Sequence, residues 1–475
     1  MGLLRAAAAA GLAVAVGAIA LSGGEGADSR TPAGLPGMPA PFLGVAVVGG
    51  GGRTMAVDAY GNVVDLRAPG PAGESLSAVS SERQAAGSVD PGEAVVARTW
   101  IGGRQLPLWR ADSVRQRYLP GTNVLRTVAR FGDRTVVVVR RVGGRGAAQA
   151  DRLWLGRAHP LGRGAPTWAR GMYERSLLVL RALTDGRTGA VAAGARDGWA
   201  YAWPRDAGAA AVAFDSAGYR PEARRVAHFL LGLDLDATAR FDADGAPVEG
   251  RAAQGDAAGW VAAAAQAAGL EARLRRNAEP AVGKQEWRDR ADYQEGGPGD
   301  YLGNAIAAAS GAPFSSQTRI SRTGSAGGAW DAFVTDLGLV RVAAEPMSGL
   351  DSAAAWAVRP FPNPTIFPAV RRTLLRLVAQ RQSQFGLLPS QKWHGGEDPW
   401  TAPTAWTAWS LAALGERRAA LSLMADLRRA ATPLGLLPER VDAKTGLPRS
   451  TTPLTWSHAF AILAIRELWP GRAGT

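Results

Sequence analysis

Ten residues, Asp197-Gly-Trp-Ala-Tyr-Ala-Trp-Pro-Arg-Asp206, bring the rings of Trp199, Tyr201 and Trp203 next to the adjacent pair Arg205 and Asp206. Aromatic planes offer flat apolar surface to a sugar ring, and a guanidinium–carboxylate pair offers directional hydrogen bonds to its hydroxyls. The same residues also suit a buried aromatic cluster closing a helix N-terminus, and the stretch alone leaves both readings open. Three further loops carry acids: Arg251-Ala-Ala-Gln254-Gly-Asp256, Asp292-Tyr-Gln-Glu295, and Leu437-Pro-Glu439-Arg-Val-Asp442. Hydrolysis of a glycosidic bond needs two carboxyl groups in opposite protonation states. Glu295 and Glu439 suit that chemistry, because each lies in a loop bounded by Gly or Pro with aromatic or apolar neighbours. Such surroundings hold a proton by desolvation. Taken singly, each glutamate reads first as a surface acid or a helix cap, and spacing does not pair them.

Other chemistries find less support. The 475 residues contain no cysteine, which excludes disulfides, zinc–thiolate sites and thiol catalysis. His228, His394 and His458 have no helical i, i+4 partner and no His-Glu-x-x-His pattern, so no metal site is expected. Asp234, Asp236, Asp242 and Asp244 form an acidic loop that reads as solvated in preference to calcium-binding. No Gly-x-Ser-x-Gly elbow surrounds a serine. Gly49-Gly-Gly-Gly-Arg53 lacks the Gly-Lys-Ser/Thr ending of a phosphate loop and reads as a hairpin turn. The net charge of +13 would draw anionic partners. The basic residues are scattered, mostly arginine, and carry no groove-reading motif, which argues against nucleic acid and for attraction to an anionic cell envelope.

The elements that must position these residues fall into two kinds. Met1 to about residue 22 has Arg5, an apolar run from Ala6 to Leu21 and the small-residue site Ala18-Ile-Ala20; it reads as a signal peptide or an N-terminal anchor. Residues 23–41 read as a linker. Residues 42–143 alternate short β-type runs with glycine turns, which predicts an antiparallel β-sandwich. Residues 144–170 read as a connection. From 171 to 475 the periodic segments read as helices, among them Pro204–Ala217, Asp256–Ala268, Trp330–Val342, Asp351–Val358, Pro403–Leu414 and Thr455–Leu468. Trp406 and Trp409 stand three apart on one helical face and read as core. Long loops rich in Trp, Asp and Gly alternate with tight turns such as Ala217-Gly-Tyr-Arg-Pro221, which implies helical hairpins in a ring with a site at the long-loop end.

Four ordered motifs resemble the glucoamylase-like family of inverting glycoside hydrolases, family 15, which includes glucodextranases and some trehalases. They are Ser113 to Thr127, Arg175 to Asp185, Trp199 to Asp206, and Leu437-Pro-Glu-Arg440 with Leu454-Thr-Trp-Ser-His458. The resemblance implies a mainly α fold, an (α/α)6 toroid behind an antiparallel β-sandwich. It implies Glu295 as general acid and Glu439 as general base in a single displacement with inversion. Arg205 and Asp206 would hold the terminal sugar, with Trp199, Tyr201, Trp203, Gln254, Asp256, Trp400 and Trp456 around it. The implied substrate is an oligo- or polysaccharide with terminal α-linked glucose, and the implied protein is an exported monomer needing no cofactor. Trehalase-like specificity or a non-catalytic sugar-binding envelope protein are the alternatives. Two positions depart from the family: Gln294 stands where a tryptophan commonly precedes the acid, and Leu387-Leu-Pro389 stands where Arg-Tyr-Pro is common, Lys392 being the nearest cation.

Overall fold

The computed structural model describes residues 35, 45–50, 53–67, 72–73, 75–79, 83–84, 93–270, 301–310 and 330–471. The signal or anchor segment, the linker and the loop carrying Gln294 and Glu295 lie outside the described residues. The chain is mainly helical, with small antiparallel sheets before the helices.

Strands β1 (Ala46–Gly50), β2 (Arg53–Val57), β3 (Val63–Arg67) and β4 (Ser75–Ala78) form one antiparallel sheet in that order, with Ala46 opposite Val57 and Thr54 opposite Arg67. β5 (Arg98–Ile101) and β6 (Arg104–Pro107) make a hairpin, and β7 (Ser113–Tyr118), β8 (Leu125–Phe131) and β9 (Arg134–Arg140) a meander. β8 and β9 alternate buried and partly exposed residues, the signature of a sheet covered on one face. Two helices follow, α1 (Ala147–Leu155) and α2 (Thr167–Leu183), so the stretch read as a connection contains a helix of its own. β1 packs on α2 and is buried almost throughout. A Cβ on Gly49 would stand 2.8 Å from the Ala182 backbone and Cβ, so this close approach requires glycine. One ring joins the pieces: the Tyr118 hydroxyl donates to the Val47 carbonyl (2.8 Å) and accepts its N–H (3.0 Å), while the Arg175 guanidinium lies 3.8 Å from the ring centre.

The helical part continues with α3 (Pro204–Ser216), α4 (Arg220–Leu231), α5 (Ala257–Ala267), α6 (Leu302–Ser310), α7 (Phe367–Arg381), α8 (Thr401–Ala413), α9 (Arg417–Ala430) and α10 (Thr455–Leu468). Sequence sorts them by burial. α3, α5, α8 and α10 are apolar and buried over most of their circumference. α4, α7 and α9 carry one apolar stripe and a charged face, so they lie outside. α3 packs on α5, α5 on α6, and α6 on a short 3-10 helix, Ser352–Ala357; that helix packs on α8, α8 on α10, and α10 back on α3. Edge-to-face rings staple these buried elements: Trp260 meets Trp356 at 5.2 Å, Trp356 meets Trp406 at 5.3 Å, and Trp406 meets Trp456 at 5.2 Å. Trp406 and Trp409 are core residues, as their spacing suggests.

Two helix expectations need correction. Trp330–Val342 is a turn-rich segment with a tight hairpin, β10 (Val334–Thr335) and β11 (Gly338–Leu339). The Thr335 hydroxyl donates to the Gly338 carbonyl (2.8 Å) and Gly338 has φ +141°, so local turn chemistry prevails over the apolar periodicity. Asp351–Val358 shortens to the 3-10 helix Ser352–Ala357, capped by the Asp351 carboxylate on the Ala353 N–H (2.7 Å). A second hairpin of the same kind, β12 (Gln382–Ser383) and β13 (Gly386–Leu387), follows α7.

Candidate active site

The long connections before α3, α5, α8 and α10 converge where those helices begin, and the short turns lie between α3 and α4 and between α8 and α9. Main-chain bonds lock the converging loops together. The Thr455 N–H donates to the Ala193 carbonyl (2.8 Å), Thr401 to Glu439 (3.0 Å), Glu439 to Thr451 (2.9 Å) and Trp400 to Leu387 (3.0 Å). Between them opens a cavity of about 510 Å³. Its wall brings together Trp199, Trp203, Arg205, Asp206, Trp400, Glu439 and Trp456, residues drawn from three separate stretches of sequence.

Pro204 occupies the first turn of α3, where its missing N–H costs nothing, and Asp206 sits in the same turn at the positive end of the helix. Arg205 is buried and turned toward α5. Its Nη1 donates to Gln254 Oε1 (3.2 Å) and to Asp256 Oδ2 (3.2 Å), and its guanidinium lies 4.6 Å from the centre of the Trp456 ring. Gln254 and Asp256 therefore stand behind Arg205 and fix its plane; neither lines the cavity. Asp206 accepts the Trp456 N–H at 3.4 Å. Burial pushes its carboxyl up to about 7 against the opposing pull of Arg205, and the charges of Glu439 and Asp256 push the same way. Burial also raises Asp256 above the usual carboxylate range, outweighing its ion pair with Arg205.

Glu439 is partly buried, and Ser450 donates a short hydrogen bond to its Oε2. Two residues earlier the main chain is held by His458, whose Nε2 accepts the Leu437 N–H (3.0 Å) while Nδ1 faces the Ser176 hydroxyl (2.9 Å). A ring nitrogen accepting from an amide carries no proton, so the tautomer inferred from this network has its hydrogen on Nδ1. Burial and the nearby Arg175 charge push the imidazole down to about 3, so it stays neutral and structural. The indole N–H groups of Trp203 and Trp456 are buried without an acceptor.

Tyr201 does not line the cavity. Its ring instead lies between the Arg67 and Arg240 guanidiniums, each 5.5 Å from its centre. Leu387 is fully buried, and Lys392 is exposed away from the cavity, so neither brings a cation to it. The acidic loop is occupied with itself: Asp242 caps the Asp244 and Ala246 N–H groups (2.9 Å each), and Asp244 pairs with Arg187 (2.7 Å). Sequence reasoning missed Arg240, Arg251, Trp393, Arg440 and Ser450, all of which line the cavity. Trp393 packs on Gly395, where a Cβ would stand 2.7 Å from its indole nitrogen. Arg251 and Arg440 stand in the acid-bearing loops of Asp256 and Glu439, whereas Arg240 and Ser450 had no signal.

No family model matches the sequence, and no curated protein matches it. Solved structures do resemble the chain. A wild-type glycosidase is 21% identical, with 63% of this chain and 97% of that chain covered and a TM-score of 0.49. The glucoamylase from Saccharomycopsis fibuligera is 15% identical, with 65% and 96% covered and a TM-score of 0.46. The glucoamylase of Hormoconis resinae is 14% identical, with 64% and 74% covered and a TM-score of 0.41. At these identities and TM-scores the likenesses carry no functional conclusion.

Proposed function

We propose that this protein is an exo-acting, inverting α-glycosidase that releases a terminal glucose or similar sugar from an α-linked saccharide. The observation that carries the reading is the shared cavity, which Glu439 lines together with Arg205, Asp206 and Trp456. In this reading the Trp456 face stacks on the sugar ring, while Asp206 and Arg205 take its hydroxyls. Glu439, oriented by Ser450, removes a proton from a water molecule that attacks the anomeric carbon from the face opposite the leaving group. Glu295 is the proposed general acid, giving its proton to the departing glycosidic oxygen. No step in this chemistry requires a metal or organic cofactor.

The ring of contacts from α3 through α10 and back to α3 supports an (α/α)6 toroid as its scaffold, with the strands between residues 42 and 143 forming a β-sandwich. Residues 171–475 would then be the catalytic domain. Export through residues 1–22 belongs to the same proposal. The test uses maltooligosaccharides, isomaltooligosaccharides, dextran and trehalose. Single sugars should appear first from at least one substrate, each matched by a chain one unit shorter and without mid-chain fragments. Glu439→Gln should lower kcat by about a hundredfold to ten-thousandfold while KM stays within about threefold. A variant as active as wild type would remove Glu439 from the chemistry.

A further inference from the structure

Arg240 lines the cavity without a carboxylate partner among the described residues. Its Nη2 donates to the Glu249 carbonyl, its Nε is buried with no acceptor, and the Tyr201 ring lies against it. The backbone is shaped around the guanidinium. A Cβ on Gly198 would stand 3.3 Å from Nη1, and a Cβ on Gly250, which has φ +95°, 3.0 Å from Nη2. A second cation, Arg251, lines the same cavity with its guanidinium 5.9 Å from the Trp203 ring centre. Burial first and then the Arg251 charge push Arg240 below the usual arginine range. A third, Arg440, is partly exposed, and its ion pair with Asp398 spans 3.8 Å.

Against these cations the described cavity wall sets two carboxylates, Asp206 and Glu439. Bracing the Glu249 carbonyl needs only a hydrogen-bond donor. An arginine held beside another arginine, in a cradle of two glycines and with no counter-ion among the described residues, suits an incoming anion.

We propose that the saccharide taken by this pocket is acidic: one of its sugars carries a carboxylate, or a sulfate or phosphate ester, and Arg240 binds that group. The sugar part of this inference rests on the glycosidase reading, and the charge is what it adds. The guanidinium fork matches a planar carboxylate bidentately and accepts a tetrahedral oxyanion as well. Arg251 and Arg440 add to the positive field that draws such a ligand in.

The test is binding, which does not depend on turnover. Sulfur-linked disaccharides resist hydrolysis, and the tryptophans of the wall report occupancy by fluorescence. Four are compared on the full chain at low ionic strength: glucosyl-glucose, glucosyl-glucuronate, glucuronyl-glucose and glucosyl-glucose 6-sulfate. At least one acidic ligand should bind about tenfold tighter than the neutral one, with the advantage shrinking at about 0.5 M salt. The two uronates show which sugar bears the charge, and the sulfate arm separates carboxylate from ester recognition. Arg240→Gln should remove the preference while leaving affinity for the neutral ligand intact. Arg440→Gln, at a more exposed position, should reduce the preference and serves if Arg240→Gln fails to fold. Equal affinity for neutral and acidic ligands overturns the inference whatever the enzyme hydrolyses. Hydrolysis of the oxygen-linked neutral disaccharide is followed separately, so failure of the glycosidase reading is seen on its own.

Discussion

Burial moves Asp206 far from its chemistry in water. A carboxyl pushed up to about 7 is half protonated near neutrality. Arg205, held by Gln254 and Asp256, can only donate, so the acceptor for sugar hydroxyls beside it is the ionised Asp206. Its kcat/KM should therefore fall about tenfold per pH unit below about 7, and the limb should vanish in Asp206→Asn. A wild-type profile flat between about pH 5 and 8 would contradict this role. At this scale the sequence told much about the first wall of the site. Trp199, Trp203, Arg205 and Asp206 lie within eight residues, and a local motif is legible. Arg240, Arg251 and Arg440 stand far apart in sequence, the last two inside the loops of Asp256 and Glu439, and only the folded chain brings them to one cavity. Tyr201 shows the converse: same motif, different surroundings, because the Arg67 and Arg240 guanidiniums lie against its ring.

At the scale of elements, the buried helices approach so closely that small residues are required. A Cβ on Gly259 of α5 would stand 2.4 Å from the Ala307 carbonyl of α6, whereas one on Gly171, in the second turn of α2, would meet nothing within 4 Å. Gly259→Ala should cost about 1–3 kcal/mol by overpacking. Gly171→Ala should gain about 0.5–1 kcal/mol by helix propensity. Thermal melting of the two variants separates the cases, and a tolerated Gly259→Ala would show that α5 and α6 can move apart. The apolar helices were legible because composition alone distinguishes buried from amphipathic helices. The segment 330–342 was not, and a repeat explains why. Thr335, Ser383 and Thr432 each precede by three a glycine followed by leucine, at Gly338, Gly386 and Gly435. All three glycines have positive φ, and each hydroxyl bonds the turn it opens. Read singly, the first copy has a helix-like spacing of Phe, Val and Leu. Read beside the other two it is a loop entrance, and the third copy leads into Glu439.

For the whole molecule, two buried groups work against each other as pH changes. Burial raises Asp206 from 3.8 to about 7, so its contribution to stability is present below pH 3.8 and is lost as pH rises through about 7. Burial lowers His458 from 6.5 to about 3, so the unfolded chain takes up that proton first. Its contribution is present above pH 6.5 and is lost as pH falls toward about 3. His458 ties α10 to α2 and to the loop before Glu439. His458→Asn should melt lower than wild type at about pH 7.5, and lose less stability than wild type on acidification to about pH 4.5. Parallel losses in both proteins would show that His458 does not set the acid limit.

The account stands or falls on the stereochemistry of one bond. Proton NMR of the first turnovers on an α-linked substrate distinguishes the anomers before they interconvert. A water activated by Glu439 on the face opposite the leaving group gives the β-anomer first, with the α-anomer appearing only as the sugar equilibrates. Initial release of the α-anomer would mean retention and a covalent intermediate, and it would contradict the assignment of Glu439 as general base.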